Sequence, residues 1–152
     1  MDKLASLPKG KLYLLLVTCA VVIFAASMEV LFLVKDTDMY TLWAAAMRDM
    51  QPDQPPSQFS FDNYVASNLF QYFLRILTPM VLGIHAYFAS VKLRINNLFV
   101  FIWSVLLAGG AAYALIGANV HSVFFYLIMA GYAILFITVI SLHDNINGSR
   151  TA

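Results

Sequence analysis

The sequence predicts an all-α integral membrane protein: a four-transmembrane-helix bundle with a short amphipathic helix in its outer first loop. Three observations predict it. The first is composition: 61% of the 152 residues are hydrophobic and 11% are charged, whereas soluble domains are about half apolar and about a quarter charged. The second is four apolar stretches, at 12–34, 64–89, 98–117 and 123–142. At about 1.5 Å of rise per residue, each is long enough to cross roughly 30 Å of hydrocarbon. The third is that none alternates as a strand does. A backbone in lipid must satisfy its own polar groups, so these stretches are helices forming a single transmembrane domain over residues 1–152.

The first span reads "LYLLLVTCAVVIFAASMEVLFLV". Lys3, Lys9 and Lys11 precede it as basic residues precede a secretory leader. The apolar run continues past Phe24–Ser27 to Val34, too far for the core of a cleaved leader, so the helix is expected to be retained. Cys19 within it is the chain's single cysteine. It can form no internal disulfide, has no zinc-ligand spacing around it and reads as a small buried side chain.

The loop 35–63 follows. Met39, Leu42, Trp43, Ala46, Met47 and Met50 recur at helical spacing, with Asp36, Thr37 and Asp38 available as N-caps. They predict a helix over Met39–Met50 lying on the outer leaflet, with Trp43 at headgroup depth. "QPDQPPSQ" at Gln51–Gln58 should break that helix and stay extended. Ser60 or Asp62 can cap the second span. A loop this long is either a tether or a lid or docking surface.

The third and fourth spans are joined by the short link Ala118–Ser122 and so form an antiparallel hairpin. Ser104, Ala108 and Ala112 recur every four residues on the third, as do Gly110, Ala114 and Ala118. The fourth offers Ala130, Gly131 and Ala133. Small residues at this spacing let helices approach closely, here expected within the chain, with a homo-oligomer as the alternative.

The chain's basic residues divide unevenly. Lys3, Lys9, Lys11, Lys92, Arg94 and Arg150 share one side; Lys35 and Arg48 are on the other. Both termini are therefore expected in the cytoplasm, with the protein in the plasma (inner) membrane and the acidic loop outside. Asn147-Gly148-Ser149 matches a glycosylation pattern but falls on the cytoplasmic side.

The second span, "LFQYFLRILTPMVLGIHAYF" at its centre, carries the polar groups that need explaining. At about 100° per residue, Asn68, Gln71, Tyr72, Thr78, Pro79, Gly83 and His85 fall within about 80° of Arg75. Phe70, Phe73, Ile76, Leu77, Met80, Val81, Ile84, Tyr87 and Phe88 fall opposite, as a lipid face. The polar face must point into the bundle.

Glu29 of the first span is the expected partner of Arg75. By helical rise Glu29 lies about 8 Å and Arg75 about 15 Å below the outer surface. Side chains lean toward the N-terminus of their helix, which brings Arg75 up and Glu29 down. Pro79 removes the N–H that would serve the carbonyl of Arg75 and favours a cleft there. Thr18, Val22, Ala25 and Ala26 let the first two spans close. The candidate ligand or ion-pair site is Glu29 and Arg75 with Gln71, Tyr72 and Asn68, and His121 in the outer link could lie near it.

No cofactor is expected. His85 lies inside its span and His143 at the end of another, a poor match in depth for haem. Metalloprotease, serine-hydrolase and P-loop signatures are absent. No basic patch interleaves with aromatics, so nucleic acid is not an expected partner. The partners expected are the lipid bilayer and a membrane-protein partner or a second copy. The leading expectation is a non-enzymatic accessory or interaction subunit of a larger membrane assembly. The alternatives are a small oligomeric transporter or channel for protons or an anionic solute, and a membrane enzyme acting on lipid or quinone at the outer face. In the last, Glu29 would serve as acid or base and Arg75 would hold an anion.

The orientation is testable on intact cells. A membrane-impermeant maleimide should label Ser57→Cys without permeabilisation and Ser149→Cys only after it. The reverse pattern would invert the topology.

Overall fold

A computed structural model describes residues 7–91, 95–116 and 122–148. It is all-helical, with no strand among the described residues. Its helices are α1 (Lys9–Lys35), α2 (Thr37–Met50), α3 (Phe61–Val91), α4 (Asn97–Leu115) and α5 (Val123–Gly148), with a 3₁₀ turn at Pro56–Phe59 before α3. α1, α3, α4 and the Val123–Asp144 part of α5 are each long and apolar enough to cross a membrane. α1, α3 and α5 overrun the apolar stretches because a helix does not stop where apolarity does. Lys3, Lys92, Arg94, Arg150, Ala118 and His121 lie outside the described residues.

The four long helices form a ring in the order α1, α3, α4, α5, each packed on its two neighbours. Paired residues show that neighbours are antiparallel. Glu29 meets Arg75 near one end of α1 and α3, while Cys19 meets Gly83 further along. Phe32 stacks on Phe124, and at the other end Lys11 Nζ donates to the Ser141 carbonyl at 2.7 Å. The core inside the ring includes Leu15, Val22, Leu82, Leu107, Tyr132, Leu135 and Val139.

α1 is the axis of the packing, touching both α3 and α5. The sequence assigned Thr18 and Val22 to the closure of α1 on α3. The structure instead turns both toward Gly131 of α5, and Cys19, one position on, packs against Gly83 of α3. With no side chain at Gly131, Val22 occupies that space, and a methyl group there would collide with it.

The small-residue rows of α4 also divide. Trp103, Leu107 and Ala114 are buried, and Gly110 faces Tyr132. Ser104 is half-buried, and Ala108 and Ala112 are exposed. The expected tight packing of the Ser104–Ala108–Ala112 row within the chain is therefore not found. Bulky Trp103 and Leu107 fill the ring, which turns that row outward. On α5, Gly131 is buried while Ala130 and Ala133 are exposed. On α3, Ile76 and Met80 are half-buried rather than outward, Ile76 packing against the core.

α2 begins two residues earlier than expected, capped by Asp36, whose Oδ1 accepts from the N–H groups of Asp38 and Met39 at 3.0 and 3.2 Å. Its inward face is Met39, Tyr40, Trp43, Ala44 and Met47, while Leu42, Ala46 and Met50 are exposed. Trp43 packs on Tyr64 at 5.4 Å between ring centroids, and Tyr40 packs edge-on to Phe61 at 5.4 Å. Aromatic burial thus seats α2 on the start of α3, and Trp43 is engaged with the protein. Gln51–Gln58 is not extended either. Gln54 N–H donates to the Gln51 carbonyl, and Pro56 opens the 3₁₀ turn. Proline needs no N–H partner at a first helical position, and its fixed φ suits a turn as well as an extended chain. Ser60 Oγ accepts from Asn63 N–H at 3.4 Å at the start of α3.

Gly131→Ala should lose about 1–3 kcal/mol of stability through overpacking, read as thermal unfolding in detergent. Gly109→Ala, with open space around it, should be near neutral. Adding Val22→Ala to Gly131→Ala should recover stability rather than lower it further.

Candidate functional site

α1 and α3 run side by side, and their polar residues converge below α2. Arg75 Nη1 donates to Glu29 Oε2 at 2.9 Å. Their side chains retain only 11% and 6% of their exposure, so water reaches little of the pair. A charge-assisted hydrogen bond under such cover is stronger than one at a surface. It also offsets a desolvation that neither ion would tolerate alone.

Tyr72, one turn before Arg75, makes a second tie to α1. Its hydroxyl is 2.9 Å from Ser27 Oγ, and Ser27 Oγ lies 2.8 Å from the Ile23 carbonyl as donor. Ser27 has one proton and gives it to Ile23, so Tyr72 is the donor to Ser27. Tyr64 makes a third, its hydroxyl donating to the Leu33 carbonyl at 2.9 Å. Asn68 Nδ2 turns back to the Tyr64 carbonyl at 2.9 Å.

Glu29, Asn68, Gln71, Tyr72 and Arg75 line one cavity of about 270 Å³, together with Ala26, Val30, Leu33 and Tyr64. Met39, Leu42 and Trp43 of α2 complete it. Gln71 is exposed and Arg75 nearly enclosed, so the former marks the mouth and the latter the floor. Glu29 also borders a second cavity of about 610 Å³, lined in part by Phe32, Asp36, Ser122 and Phe124.

Arg75 has five N–H donors, and Glu29 takes one of them. Nε is sealed without a partner. Nη2 has no hydrogen bond either but is not among the sealed atoms, and Arg75 lines the cavity.

The backbone at Arg75 is as constrained as its side chain. Pro79 is buried within α3 and offers no N–H to the Arg75 carbonyl. Tyr132 of α5 supplies the donor, its hydroxyl 2.9 Å from that oxygen. Gly110 makes room for it: a Cβ there would lie 2.9 Å from Tyr132 Cε1.

Sequence reasoning identified the orphaned carbonyl but missed Tyr132. The signal available was a tyrosine midway along the span, whose hydroxyl needs a partner when buried. It missed Ser27 and Tyr64 as well. His85 is placed elsewhere, on the far side of Pro79 from the cavity. Trp103 Nε1 donates to His85 Nδ1 at 3.0 Å, with Phe99 edge-on to the imidazole at 5.0 Å, so His85 ties α3 to α4. Among the described residues no group of His, Cys, Asp and Glu is arranged to hold a metal ion.

No family model, curated protein or solved structure matches the chain.

Tyr132→Phe should cost about 1 kcal/mol by leaving the Arg75 carbonyl unpaired. In a Pro79→Ala background, where the restored backbone N–H can serve that carbonyl, the same change should cost clearly less. Unfolding free energies of the four chains in detergent form the cycle, and equal costs would show that the two groups are not coupled.

Proposed function

We propose that the chain is a four-span integral membrane protein of the plasma (inner) membrane, with both termini cytoplasmic and α2 outside. It acts by binding rather than by catalysis, as a non-enzymatic accessory or interaction subunit of a larger membrane assembly, and the cavity beneath α2 is its binding site. The observation that carries this reading is the seat of α2. One face of α2 closes the cavity; Leu42, 63% exposed, is at its rim, and Met50, 75% exposed, lies clear of it. Exposed apolar side chains on an ordered helix at the end of the bundle suit a protein partner. Glu29 and Arg75 hold each other, which favours a fixed recognition surface over a proton-transferring one.

Extraction from native membranes in mild detergent at native expression tests the reading. The chain should migrate with a membrane-protein partner, and Met50→Asp should release it while leaving thermal stability unchanged. A monomer without a partner would overturn it.

A further inference from the structure

The cavity has a chemical character that narrows what it can hold. This inference rests on the reading that the cavity is a binding site. At about 270 Å³ it is slightly below the roughly 300–1,000 Å³ of sites that enclose a drug-sized molecule. It has room for a headgroup and not for a whole lipid. Its walls are apolar or aromatic where Leu33, Met39, Leu42 and Trp43 contribute, and the polar groups gather at the floor and mouth.

The charge at the floor is already balanced. Glu29 and Arg75 are one anion and one cation in contact. An entering anion would place a net negative charge in a nearly sealed space beside a carboxylate, and would have to surrender its own hydration to do so. An entering cation would meet the guanidinium. A neutral group meets neither penalty. What the floor offers is a donor: Arg75 lines the cavity, and its Nη2 makes no hydrogen bond and is not sealed as Nε is. The matching group is an uncharged acceptor, and a carbonyl oxygen with two lone pairs is the simplest.

We propose that the cavity beneath α2 takes the uncharged, carbonyl-bearing headgroup of a membrane-soluble amphiphile, its oxygen accepting from Arg75 Nη2. The ion pair stays intact in the complex: Glu29 keeps the guanidinium in place and cancels its charge. Trp43 and Met39 close over the headgroup, and Gln71 marks the mouth through which the apolar tail leaves.

The test uses the full chain in phospholipid nanodiscs at pH 8, with three probes sharing one alkyl length. They are methyl dodecanoate (a neutral ester), dodecanoate (an anion) and dodecane (no acceptor). Binding is read from intrinsic fluorescence, with Trp43→Phe assigning the signal to the cavity. The ester should saturate the signal at a concentration at least tenfold below the other two. Arg75→Lys keeps a cation for Glu29 but removes the second nitrogen, so it should abolish the ester's advantage while leaving dodecane unchanged.

Dodecanoate binding most tightly would overturn the proposal by showing that the pair opens for an anion. Equal binding of all three would overturn it by showing a greasy slot without headgroup recognition. In either case the cavity still binds and the functional reading stands. No saturable Trp43 signal from any probe overturns both the headgroup proposal and the cavity as a site for such molecules; the subunit reading is then decided separately by co-purification. If Arg75→Lys does not fold, the ranking of the probes on the unaltered chain decides the matter.

Discussion

The structure depends on one backbone oxygen. Pro79 leaves the Arg75 carbonyl without its helical donor. Tyr132 reaches across from α5 to supply one, and Gly110 of α4 must stay bare to admit its ring. Three of the four long helices are thereby fixed at one level. α1 joins from the other side of the same residue, through Glu29 on the guanidinium. Arg75 is the point at which all four long helices are brought into register, two through its side chain and the others through its carbonyl.

That junction separates two ends of unlike character. On the α2 side, helix contacts carry hydroxyls, amides and charges: Tyr72 with Ser27, Tyr64 with Leu33, Asn68 near the cavity. On the other side, Cys19 against Gly83 and His85 against Trp103 sit among Leu15, Leu82 and Ala86. The cavity end thus joins its helices mainly through polar groups.

Much of this was legible in the sequence, and the reasons for what was not are specific. The four long helices follow from length and apolarity, because lipid-compatible backbone has so few solutions. The meeting of Glu29 and Arg75 followed from helical rise and side-chain lean, both local properties. What could not be read was rotation: which residues of α1 face α3 and which face α5. Thr18, Val22 and Cys19 are all small and apolar enough for either, and only the empty spaces at Gly83 and Gly131 decide between them. The same held for α4, where a row of small residues signals closeness without naming the neighbour. On α2 the sequence shows an apolar stripe, but nothing in it told that Tyr40 would seat the helix on Phe61 and Tyr64. The Gln51–Gln58 segment was misjudged because proline-rich sequence suits an extended chain and a 3₁₀ turn equally.

The roof has a mechanical property that its covering role does not suggest. The Tyr40 hydroxyl of α2 donates to the Phe59 carbonyl at 3.0 Å, and Tyr40 also lies against Phe61 and Tyr64. α2, the turn after it and the first residues of α3 are therefore one piece, like a latch cast with its door frame. α2 cannot swing on its connection to α1 alone without tearing that hydrogen bond and unstacking those rings. The roof is therefore tied to the same helix that carries Arg75.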